Sequence, residues 1–123
     1  MEFIQTLNYR NLLTNDLKTI LTLDNLTNLC ASISSVTIQN ENQADIYCLW
    51  GAFNLKREEI RYGVRFSLID CPHALAWTVT VNENLKNIII NCTTDKSELE
   101  EEFIESIHEF LTDWKIGINN ELQ

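Results

Sequence analysis

The chain has 123 residues, of which 45% are hydrophobic and 22% charged, with only three Gly and one Pro. That composition excludes collagen-like, linker-like and disordered chains, and the length suits one α+β domain spanning residues 1–123. The formal charge is −9, from 9 Lys and Arg against 18 Asp and Glu, which is the wrong sign for a protein that neutralises nucleic-acid phosphates or an anionic membrane surface.

The N-terminal segment MEFIQTLNYR has neither the basic start nor the apolar run of a signal peptide, and no stretch approaches the roughly 20 apolar residues of a membrane span. A cytoplasmic location with reduced thiols is the expectation. Residues 1–8 are ambiguous between helix and strand. Leu13, Leu17, Ile20 and Leu21 then fall on one helical stripe, followed by a second at Leu26, Leu29, Cys30 and Ile33. Asp24 stands where an N-cap would restart a helix, so the pattern predicts helix over about 10–34 with a break near 23.

From Ser35 to Thr94 the apolar period becomes two. Val36–Gln39 reads as a strand and Asn40–Gln43 as a turn. Ile46–Leu55 is apolar on both faces, the pattern of a strand in the middle of a covered sheet. The charged run Lys56–Arg61 reads as a connection. Tyr62–Leu68, Leu75–Val81 and Asn87–Thr93 read as three further strands, joined through Asp70–His73 and the loop Asn82–Asn87. These make five strands in a mainly antiparallel meander.

The last segment is a long amphipathic helix. Ser97 and Glu100 have capping-box spacing, and Leu99, Phe103, Ile104, Ile107, Phe110, Leu111, Trp114 and Ile118 occupy an arc of about 140°. Glu101, Glu102, Glu105, Glu109 and Asp113 fill the opposite side, with His108 and Lys115 at the border. Residues 1–94 carry a net −2 and residues 95–123 a net −7, so this segment holds most of the excess charge. Glu101, Glu105 and Glu109 form an i, i+4, i+8 ladder without a cation. Such a face is either simply solvated or a docking face for Arg and Lys of a partner. The same five acids are the candidate partner-binding residues.

Asp70-Cys71-Pro72-His73 is the one place where a carboxylate, a thiol and an imidazole lie close in sequence, the residue types of a thiol nucleophile with its base. Residues adjacent in a tight turn often point apart, so a structural turn is the simpler reading. Cys71, His73, Cys92 and His108 are the residues from which a metal site could be drawn, but Cys30, Cys48, Cys71 and Cys92 form no CxxC pair. Gly51, Gly63 and Gly117 are isolated, which leaves no loop to cradle a phosphate. No metal, cofactor or catalytic residue is therefore expected. The N-x-T triplets at Asn25 and Asn91 are chance matches in the absence of an export signal. Trp50, Phe53, Tyr62, Phe66 and Trp77 concentrate on the central strands, as core or as the lining of an apolar ligand pocket.

In length, acidity and an amphipathic C-terminal helix bearing a Trp, the chain resembles small acidic secretion chaperones. That resemblance implies a homodimer wrapping an extended cargo segment. The family's order places a helix between its third and fourth strands, whereas Cys71–Asn84 does not read as one. The leading expectation is a non-catalytic inhibitor or immunity-type protein that neutralises a basic toxin or enzyme. A small-ligand-binding domain and a thiol enzyme using Cys71 and His73 follow behind it.

Overall fold

The computed structural model describes residues 1–9 and 11–122. It opens with strand β1 (Glu2–Asn8), followed by helix α1 (Thr14–Ile20), a 3-10 turn (Leu23–Asn25) and helix α2 (Leu26–Leu29). Six strands follow: β2 (Ile33–Asn40), β3 (Gln43–Cys48), β4 (Gly51–Ile60), β5 (Gly63–Ile69), β6 (Ala76–Asn82) and β7 (Asn87–Thr93). Helix α3 (Glu101–Glu121) ends the fold. The seven strands form one antiparallel sheet in the order β1-β7-β6-β5-β4-β3-β2, so β2 to β7 are a meander and β1 closes its far edge.

The α+β class, the antiparallel sheet and the C-terminal helix packed on it agree with the sequence reading; the strand count does not. Seven strands replace five. The ambiguous residues 1–8 contribute β1, whose register pairs Ile4 with Asn91 and Leu7 with Ile88. The span read as a single strand, Ile46–Leu55, is two strands joined by a two-residue turn at Leu49 and Trp50. Gly51 takes φ +114° there, a conformation that an L side chain rarely adopts. Buried positions are Ala44, Ile46 and Cys48 before the turn and Leu55 after it, so the parity flips and two one-sided strands imitate one two-sided strand.

The charged run Lys56–Arg61 is likewise not a connection, since β4 continues to Ile60. Arg57 faces the helical layer, where its Nε donates to the carbonyl of Leu21 at 2.7 Å and its second guanidinium nitrogen to that of Lys18 at 3.2 Å. These are carbonyls at the C-terminal end of α1, which have no intrahelical donor of their own and favour a cation. The predicted N-terminal helix over 10–34 resolves into short helical pieces, and Ile33 already belongs to β2. Asp24 lies inside the 3-10 turn, with Thr22 at the N-cap position. At the other end, α3 starts one turn later than Ser97 implied: its N-cap is Glu100, without a side-chain cap.

The helices cover one face of the sheet. Val64, Phe66 and Leu68 alternate with half-exposed Arg65 and Ser67 on β5, as Trp77, Val79 and Val81 do with Thr78 and Thr80 on β6. On the uncovered face Ile4, Asn91, Thr78, Arg65 and Glu58 form one row across five strands. The covered face meets α3 through an aromatic cluster. Trp77 lies 5.5 Å from Phe66, 4.8 Å from Phe110 and 5.9 Å from Trp114, measured between ring centroids, and all four are fully buried.

Gly117 lets α3 approach α2. A Cβ at that position would lie 1.9 Å from the carbonyl oxygen of Leu29, a backbone atom that cannot swing aside. Gly117→Ala is expected to cost at least about 1–3 kcal/mol, the usual range for overpacking. The check is urea denaturation, where the midpoint should fall without a change in m.

Candidate functional site

Four of the predicted site acids, Glu101, Glu102, Glu105 and Glu109, are exposed on α3, and Asp113 is half-buried. Asp113 differs from the others because it accepts a hydrogen bond from the hydroxyl of Ser32, tying α3 to the segment between α2 and β2. Among the described residues, ion pairs join Glu58 to Arg65 (3.4 Å) and to Lys56 (3.9 Å), and neither involves α3. Among the described residues the carboxylates of Glu101, Glu102, Glu105 and Glu109 therefore face water without a cation partner.

Where they face is set by two contacts. The indole Nε1 of Trp50 donates to the hydroxyl of Ser106 at 2.8 Å, and that hydroxyl donates to the carbonyl of Phe103 at 2.6 Å. With 3.6 residues per turn, Glu102, Ser106, Glu109 and Asp113 follow one stripe of the helix, the flank that Trp50 and Ser32 hold. Glu101 and Glu105 lie further round, away from the sheet. The i, i+4, i+8 ladder thus runs obliquely from the top of α3 towards the Trp50 flank.

An open cleft of about 260 Å³ lies between the N-terminal half of α3 and the sheet. Trp50, Phe53, Cys71, His73, Leu75 and Phe103 line it. Phe103 stacks on the imidazole of His73 at 4.3 Å and meets the Trp50 ring at 5.9 Å. The turn supplying Cys71 and His73 is bracketed by Asp70 and Ala74, both with positive φ (62° and 49°), and closed by the Ala74 amide donating to the Cys71 carbonyl at 2.9 Å. Sequence reasoning had the Cys71–His73 turn and the central aromatics as separate features. Their meeting under α3 depends on the β3–β4 turn that places Trp50 opposite Ser106, and neighbouring sequence positions carry no signal of it.

Within that turn the triplet does not assemble as nucleophile, base and orienting group. Among the described residues no hydrogen bond joins Asp70, Cys71 and His73; the imidazole stacks on Phe103, and its buried Nδ1 has no partner. Nor do three His, Cys, Asp or Glu side chains gather in a metal-binding arrangement among the described residues. His108 sits at the border of α3 edge-on to Phe3, at 5.5 Å. The glycosylation-pattern asparagines have engaged amides: Asn25 donates to the Ile20 carbonyl at 3.0 Å and Asn91 to Glu2 at 2.8 Å. Among the described residues no helix is long and apolar enough to cross a membrane.

The sequence matches no protein-family profile and no curated protein. The fold is similar to the crystal structure of an uncharacterised protein from Bacillus thuringiensis. The TM-score is 0.67 over 99% of this chain and 98% of that one, at 14% sequence identity. Likeness at that identity extends to the fold alone.

The four thiols differ in environment. Burial pushes those of Cys30 and Cys92 up to about 12 and raises that of Cys48, whereas Cys71 is half-buried on the cleft wall. Thiolate is the reacting form, so an aromatic disulfide reagent at pH 8 should label about one thiol in the native protein, lost in Cys71→Ser, and all four in urea. A raised thiol pKa in the folded state also means that the folded protein keeps protons that the unfolded chain releases. Stability is therefore expected to fall as pH rises from the ordinary thiol value near 9 towards 12, by at most about 1.4 kcal/mol per pH unit for each such thiol. Denaturant midpoints across that range, with Cys30→Ala as the reference, check it.

Proposed function

We propose that this protein is a non-catalytic acidic binding module of the inhibitor or immunity type, which neutralises a basic protein, a toxin or an enzyme, by covering it with α3. The observation that carries this reading is the set of exposed α3 carboxylates at Glu101, Glu102, Glu105 and Glu109, which have no cation partner among the described residues. Like charges spaced i, i+4 each cost an isolated helix about 0.2–0.5 kcal/mol, and a basic partner would convert that repulsion into attraction. Complementary fields also speed encounter and disfavour wrong partners.

The test starts from capture on the tagged protein at low salt from a lysate of the source organism, with identification of bound proteins by mass. The captured protein is then purified and its affinity measured against the wild type and a Glu105→Lys, Glu109→Lys double variant. The expected partner is basic, the double reversal weakens binding by at least about 30-fold, and added salt slows association. Unchanged affinity in the double variant would remove α3 from the interface and end this reading.

A further inference from the structure

We infer that the aromatic cleft beside α3 is an anchor pocket, taking one aromatic or branched apolar side chain from the same basic partner segment whose cations meet Glu102, Glu105 and Glu109. This inference rests on the reading of α3 as a docking face, and it names the element that would give such docking its specificity. Charge attraction alone is long-ranged and undiscriminating, whereas interface energy concentrates in a few side chains buried in desolvated pockets.

Three observations fit the cleft to that occupant. Its volume of about 260 Å³ falls below the roughly 300–1,000 Å³ of pockets for whole drug-sized molecules, and leaves room for one large side chain. Its walls are braced by contacts: Trp50 is held to Ser106 at 2.8 Å, Phe103 is stacked on His73 at 4.3 Å, and Leu75 is fully buried. Walls held in this way lose little side-chain freedom on binding. The third observation concerns charge. Ser106, which fixes Trp50, lies on the same stripe as Glu102 and Glu109, about one helical turn from each. A side chain lowered into the cleft thereby brings its own chain alongside the carboxylates. An uncharged or acidic segment would gain nothing from that flank, while one carrying Lys or Arg on either side of the anchor would satisfy both features together.

The test uses synthetic heptapeptides in which two lysines on either side flank a central glycine–phenylalanine–glycine. Controls carry alanine at the centre, or serines in place of the lysines. Trp77 and Trp114 are fully buried and Trp50 is half-buried, so acrylamide quenching of tryptophan fluorescence reports chiefly on Trp50. The phenylalanine-centred basic peptide is expected to bind about tenfold more tightly than its alanine counterpart, and to shield Trp50. In Phe53→Ala the preference for phenylalanine should vanish while the weak affinity for the alanine-centred basic peptide stays. Equal affinity for phenylalanine- and alanine-centred basic peptides would overturn the anchor pocket and leave the acidic docking face standing. Equal affinity for the lysine- and serine-flanked phenylalanine peptides would overturn the basic occupant, and with it the docking-face reading. Binding of none of the peptides would overturn both.

Discussion

The contact of Phe110 and Trp114 with Phe66 and Trp77 is the constraint on which the rest of the structure depends. Phe110 meets Trp77 edge-on at 4.8 Å, and Trp114 lies 5.5 Å from Phe66 and 5.9 Å from Trp77. Aromatic rings remove about 150–250 Å² each from water, so this cluster dominates the burial between sheet and helix. It also sets the rotation of α3 about its own axis. Once Phe110 and Trp114 point down, Ser106 must face Trp50, Asp113 must face Ser32, and Glu101 and Glu105 must face water. The position of every candidate site residue on α3 follows from one packing decision in the core.

The remaining helical layer is arranged to let that packing close. α1 and α2 are too short to be stable alone, and they hold because Leu17, Leu21, Leu26 and Leu29 are buried against the sheet and α3. Gly117 removes the side chain that would hold α2 and α3 apart, and Arg57 reaches across from β4 to the carbonyls at the end of α1. The opposite face of the sheet mixes Thr, Asn, Ser and the Lys56, Glu58 and Arg65 charges with exposed Ile4, Tyr47 and Ile69.

What could be read from the sequence was whatever a single element encodes by its own period. The strands Tyr62–Leu68, Leu75–Val81 and Asn87–Thr93 were legible because one face of each is buried and the other is not, and α3 because its apolar arc is continuous. The hairpin at Asn82–Asn87 was legible from composition, and the side chain of Asn82 accepts from the amides of Asn84 and Leu85 as such turns do. Features that depend on a neighbour were not legible. Arg57 looks like a loop residue until the carbonyls of α1 arrive to pair with it, and β1 looks ambiguous until β7 lies beside it. Leu49-Trp50 hid a turn because both residues are apolar, and only the parity slip between Cys48 and Leu55 marked it. For the site, the acids of α3 were visible as a pattern, but their alignment with Trp50 and the Cys71–His73 turn required the sheet order.

Helix α3 shows why such an acidic face can persist. Its outer surface adds little to its stability: Glu101 and Glu102 suit the positive end of the helix dipole, but carboxylates four residues apart repel and, among the described residues, no cation pairs with them. Its stability comes from the inner face, where Ile107, Phe110, Leu111, Trp114 and Ile118 are fully buried. Because those two faces are energetically independent to first order, the outer one is free to carry a charge pattern that an isolated helix would not tolerate. Lysines four residues after the glutamates would stabilise the helix by about 0.2–0.5 kcal/mol per pair. A single-sign stripe forgoes that gain, and the feature lying beside it is an aromatic cleft with room for a side chain. On the proposed reading, the stripe supplies the steering field and the cleft the apolar anchor.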